Sequence, residues 1–115
     1  MSEKVEQKKA ALRDEFGFFE DPRDTFEYII AKTKDKPHLP GDLKKEEYLV
    51  KGCVSSLWLV PAYDAATGVC NFKSDADSII TRGIASLVCE LYSGLSPKEV
   101  LELDPAIFDE LKIGT

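Results

Sequence analysis

The chain has 115 residues, with 21 Asp and Glu against 15 Lys and Arg for a formal charge of −6, and 43% of its positions are apolar. That composition suits one domain with an apolar core and no need for a disulfide or structural metal. It argues against nucleic acid, whose phosphates call for clustered basic side chains. The longest apolar run, residues 57–62, is far short of the roughly 20 residues that cross a bilayer, so no membrane partner is expected. With a charged N-terminus in place of an apolar leader, the expected location is the cytosol or an organelle matrix.

Residues 1–12 alternate Lys and Glu with few apolar positions and read as a frayed helix or a disordered lead into a single domain spanning 1–115. Asp21-Pro22 opens a helix, with the acid capping and proline at the first helical position, and Phe26, Ile29 and Ile30 follow at helical spacing to about Lys34. Residues 36–42 hold two prolines and a glycine and form a loop, in which the sole histidine, His38, is expected to face solvent.

From Tyr48 the texture turns to β-branched and aromatic residues, predicting strands at 48–51, 56–63 and 69–73, with a turn at 64–68. The links are too short for parallel crossovers, so the expected fold is α+β, a three-stranded antiparallel sheet packed against helices. Ser74-Asp75-Ala76-Asp77 offers oxygens to open amides, which casts Asp75 and Asp77 as helix caps or as ties to a neighbouring loop. Ile79, Ile80, Ile84, Leu87, Val88 and Leu91 then mark a central buried helix. Gly83 in its middle points to close approach of another element, and Arg82, its only basic residue, is expected to pair with a nearby carboxylate. Ser93-Gly94 ends it, and Ser96-Pro97 and Asp104-Pro105 start two short helices, the second reaching about Lys112.

Cys53, Cys70 and Cys89 are odd in number and include no C-x-x-C pair, and one histidine in a proline-flanked loop does not complete a zinc site. Cys70 within a strand and Cys89 on the central helix read as packed thiols. Cys53 follows Gly52 in the link between two strands, where a side chain can be presented to a partner, with Lys51 the nearest fixed positive charge. No base adjoins it, and no phosphate loop or hydrolase pattern is present. Trp58, in the following strand, reads as a core anchor or as support for the Cys53 loop.

Val50-Lys51-Gly52-Cys53-Val54-Ser55-Ser56-Leu57-Trp58 resembles the active-site segment of the SufE family of sulfur-acceptor proteins. Asp21 and Arg23, the Leu39-Pro40 loop, Ser74-Asp75-Ala76-Asp77, the Gly83 helix and Tyr92 through Pro97 follow in that family's order, so that the likeness covers about residues 12–112. It implies a persulfide relay, in which a cysteine desulfurase carrying pyridoxal phosphate (PLP) donates sulfur to Cys53 and a downstream iron–sulfur scaffold receives it. In that reading the chain activates a desulfurase rather than acting as an independent enzyme. It binds no cofactor itself, and Lys51, Gly52, Ser55, Trp58, Asp75, Asp77 and Arg82 support the acceptor. Two alternatives stand beside it: an iron–sulfur scaffold that uses Cys53, Cys70 and Cys89, and an adaptor without thiol chemistry.

Overall fold

The computed structural model describes residues 2–50 and 56–111. Helix α1 (Glu3–Phe16) begins at Ser2, whose hydroxyl accepts from the Val5 amide at 3.1 Å, with Glu3 and Glu6 in the first turn and Arg13 in the last complementing the helix dipole. Val5, Leu12 and Phe16 lie on one face and are buried. Far from being a frayed lead, residues 3–12 belong to the folded domain. Three apolar side chains spaced seven and four apart are enough to anchor the helix, although the Lys and Glu between them mask the stripe.

Helix α2 (Pro22–Thr33) starts as predicted, with Asp21 accepting from the Arg23 amide and Pro22 in the first turn. Two short 3₁₀ turns follow, Gly41–Leu43 and Glu46–Tyr48. The sheet has two strands among the described residues, β1 (Leu57–Asp64) and β2 (Val69–Ala76), paired antiparallel from Leu57↔Ala76 to Asp64↔Val69. Their turn closes through Gly68 at φ 73°, with its amide donating to the Asp64 carbonyl at 2.7 Å.

The expected first strand is not formed. Tyr48 ends a 3₁₀ turn in which the Leu49 amide donates to the Glu46 carbonyl, and the turned backbone leaves only Leu49 bridging Trp58 and the Val50 amide reaching the Leu57 carbonyl at 2.8 Å. Lys51, its last residue, lies outside the described residues. Strand β2 runs three residues past its predicted end, through Asp75 and Ala76.

Helix α3 (Ile79–Tyr92) is capped by Ser78, which accepts from the Thr81 amide, and not by Asp75 or Asp77. Its apolar stripe is buried at Leu87 and Leu91, but Ile79 and Ile80, predicted as core, are 68% and 46% exposed. They occupy the first turn of the helix. Gly83 is a close approach, since a Cβ there would lie 2.9 Å from both Ile29 Cγ2 and Thr33 Oγ1 of α2. Helix α4 (Pro97–Glu102) carries the predicted capping box between Ser96 and Glu99, and α5 (Ala106–Glu110) follows. The core gathers Val5, Leu12 and Phe16 with Ile29, Leu87 and Leu91, closed by Leu95, Leu103 and Ile107. Helix α3 packs across β2 and against α2, which brings the 36–44 segment onto the open end of the hairpin.

Candidate functional site

The run of β2 through residue 76 determines where Asp75 sits. It pairs in register with Trp58 at the end of the hairpin away from the turn, and its carboxylate is wholly buried. A buried carboxylate is costly unless it is surrounded by donors, and here the donors come from three segments, the 36–44 stretch, β2 and α3. The Leu39 amide reaches Oδ2 at 3.0 Å and the Ala76 amide reaches Oδ1 at 2.9 Å. Arg82 Nε lies 3.1 Å from Oδ1 and Lys44 Nζ 3.2 Å from Oδ2. His38 Nδ1 stands 3.0 Å from both oxygens. An ionised carboxylate only accepts, so this ring nitrogen carries the proton. Burial alone raises a carboxyl pKa, but hydrogen bonds from His38, the Ala76 and Leu39 amides and Lys44 outweigh it and hold Asp75 at about 2.

Arg82 also reaches the end of α2 and the turn after it. Nη1 donates to the Thr33 carbonyl at 3.3 Å and Nη2 to the Lys36 carbonyl, so one guanidinium ties α3, β2 and the exit of α2. Lys44 also places its ammonium 5.3 Å from the centroid of Trp58. The half-buried indole of Trp58 is thus held between strand pairing and a cation.

Trp58, Asp75 and Arg82 lie together at the open end of the hairpin, and Arg82 pairs with a carboxylate as expected. The capping role expected of Asp75 gives way to this ion cluster, because the strand carries it below the surface before the helix begins. Asp77 is exposed, and it is its backbone amide, not its side chain, that acts nearby, donating to the Ser56 carbonyl at 3.0 Å. Lys51, Gly52, Cys53 and Ser55 lie outside the described residues. The five residues from 51 to 55 join Val50 to Ser56, and those flanking positions are hydrogen-bonded to Leu57 and Asp77 beside the Asp75 cluster.

Sequence reasoning missed Lys44 altogether and placed His38 chiefly toward solvent. The His38 side chain is indeed 66% exposed, yet its Nδ1 turns inward to Asp75. Lys44 hides in the mixed run Asp42-Leu43-Lys44-Lys45-Glu46-Glu47, and no periodicity separates it from Lys45, which pairs with Glu47 at 3.9 Å on the surface.

Beside the cluster, a cleft of about 490 Å³ opens between α3, β2 and the 36–40 loop, walled in part by His38, Lys73, Arg82, Ser86, Cys89 and Glu90. Cys89 is buried, and desolvation raises its thiol pKa, with a hydrogen bond to Ser74 as a partial offset. Cys70 is half-buried in β2, where its amide donates to the Leu95 carbonyl at 2.6 Å and its own carbonyl accepts from Gly94. Among the described residues no three His, Cys, Asp or Glu are grouped to hold a metal ion, and no helix is long and apolar enough to cross a membrane.

Fold and site define a small α+β domain with a buried ion cluster at the open end of a β-hairpin. The chain belongs to the SufE family, the Fe-S metabolism associated domain, whose family model matches residues 10–115. It is 31% identical over 93 residues to a SufE-like protein of Rhizobium meliloti and 34% identical over 93 residues to one of Rhizobium etli, each match taking in 79% of this chain. The matched regions span 66% and 63% of those relatives' own lengths, just under two thirds. SufE-like protein 1, chloroplastic/mitochondrial, of Arabidopsis thaliana is 30% identical over 90 residues, 78% of this chain and 24% of its own. Membership ties the chain to iron–sulfur metabolism.

Proposed function

We propose that the chain is a sulfur acceptor that takes persulfide sulfur from a PLP-dependent cysteine desulfurase onto Cys53 and passes it to an iron–sulfur scaffold. The Cys53 thiolate attacks the outer sulfur of the donor's cysteine persulfide. The donor's sulfur–sulfur bond breaks, its cysteine leaves as a thiolate with the bonding pair, and a persulfide forms on Cys53 with no net oxidation. This chemistry asks the acceptor for a presented nucleophile and alignment with the donor, and for no metal or base of its own.

The observation that carries the reading is the Asp75 cluster. Asp75, Trp58 and Arg82, all within the family-like pattern, form a rigid support beside the two ends of the segment that contains Cys53. The other two thiols sit in regular elements, and the burial and raised pKa of Cys89 disfavour its use as a nucleophile or as a scaffold ligand.

The test is incubation with a PLP-dependent cysteine desulfurase and L-cysteine, followed by intact mass measurement and mapping of added sulfur. One sulfur atom on Cys53, lost in Cys53→Ser and kept in Cys70→Ser and Cys89→Ser, is the expected result. A chain that gains no sulfur overturns the reading, as does one whose sulfur survives Cys53→Ser.

A further inference from the structure

We infer that Lys44 is a positioning residue for sulfur transfer, an inference that rests on the reading of Cys53 as the acceptor. Lys44 reaches across both strands of the hairpin from a third segment. Its ammonium is 3.2 Å from Asp75 Oδ2 on β2 and 5.3 Å from the Trp58 ring on β1, and these two residues are register partners. The side chain is 32% exposed, so both interactions operate with much of the surrounding water removed, where a charge-assisted hydrogen bond and a cation over an indole are stronger than at an open surface. Lys45 gives the contrast, as its pairing with Glu47 at 3.9 Å leaves both side chains more than half exposed, where an ion pair contributes little.

Lys44 also lies on the chain that leads into the acceptor segment. Between Lys44 and Val50 the backbone is drawn in by the Glu46–Tyr48 turn, and Leu49 and Val50 then attach to Trp58 and Leu57. The cation therefore fastens the incoming chain, seven residues before position 51, to both strands of the hairpin. Arg82, His38 and two backbone amides continue to hold Asp75 without it, so loss of Lys44 loosens this junction while leaving the buried carboxylate paired. Transfer between two sulfur atoms is sensitive to alignment, and that is where the loss appears.

The experiment is single-turnover transfer from a persulfide-loaded desulfurase to the full chain, followed by intact mass, for wild type, K44M, K44R and K45M. K44M is expected to transfer on the order of tenfold more slowly at saturating donor with the half-saturating donor concentration unchanged, whereas K44R returns to within about twofold of wild type. K45M should match wild type. Trp58 is the only tryptophan, so its emission reports the contact directly, and it should shift in K44M and hold in K44R and K45M. The inference is overturned if K44M transfers at the wild-type rate, if arginine fails to restore the rate, or if the slowing equals the unfolded fraction seen by circular dichroism at the assay temperature. Should K44M not fold, K44Q, which keeps a donor and loses the charge, replaces it with the same expectation. A wild-type chain that takes no sulfur defeats the acceptor reading, and the emission comparison then still decides whether Lys44 holds Trp58.

Discussion

At Asp75 a single carboxylate answers three side chains and two backbone amides that approach from the 36–44 segment, β2 and α3. Removing one member of a buried charged group leaves the others desolvated and unpaired, a larger loss than the interaction itself contributes. Asp75→Asn keeps the shape and removes the charge that Arg82 and Lys44 face, and it is expected to cost about 3–5 kcal/mol in urea unfolding at neutral pH. Cys89 sits a short way off with the opposite chemistry, its thiol buried and its pKa raised. Iodoacetamide at neutral pH should leave it unmodified in the folded chain and label it in urea, as read by peptide mass mapping. Rapid labelling in the native state would show that the cleft gives the thiol more access and more thiolate character than its burial implies.

Among the elements, α3 was legible from its apolar spacing, while its Ser78 cap and the limits of the strands were not. Ser74-Asp75-Ala76-Asp77 has the composition of a helix start, and nothing local reveals that backbone pairing with Leu57 and Trp58 continues through Ala76. Pairing of that kind is a tertiary fact that overrides the propensity of the segment. The same holds for residues 48–50, whose β-like side chains were read as a strand although the Glu46–Tyr48 turn leaves them only a bridge.

Gly83 was legible because glycine in mid-helix has a cost that something must justify. A methyl group there would meet Ile29 Cγ2 and Thr33 Oγ1 at 2.9 Å. Thr33 Oγ1 is fixed by donating to the Ile29 carbonyl at 2.7 Å, so it cannot turn away without losing that bond. Gly83→Ala gains about 1 kcal/mol of helix propensity and incurs about 1–3 kcal/mol of overpacking, and net destabilisation is expected as a lowered Tm. An unchanged or raised Tm would mean that α2 and α3 can separate at little cost.

Over the whole molecule, the part least visible in the sequence is the role of the N-terminal helix. Ser2 reaches α4 through Glu99 at 2.7 Å and Glu102 at 3.1 Å, and Arg13 pairs with Glu110 of α5 at 2.8 Å, so the helix whose composition resembled a solvated lead joins the two ends of the fold. The Arg13–Glu110 pair is exposed and contributes little; the anchoring comes mainly from the buried Val5, Leu12 and Phe16. Leu12→Ala should therefore cost about 2–5 kcal/mol in urea unfolding, a loss that a detached helix would not show.

The acid response gathers these features into one measurement. Asp75, Glu15, Glu99 and Glu110 all have pKa values below their ordinary range. A carboxylate whose folded pKa is depressed stabilises the fold fully above its unfolded value near pH 4, and that contribution is lost as pH falls toward the folded value. For Asp75 the window runs from about pH 4 down to about 2. Within it the one proton that Asp75 takes up on unfolding changes stability by at most about 1.4 kcal/mol per pH unit. Urea unfolding of wild type and Asp75→Asn at a series of pH values should show curves well separated at neutral pH that converge as pH falls through this window, because the unfolded wild-type chain takes up a proton at Asp75 that the folded chain excludes, and the variant has no such group. Parallel curves down to the lower end would mean that Asp75 titrates alike in the folded and unfolded chain, and the cluster at the hairpin end would then not be the electrostatic support that the geometry describes.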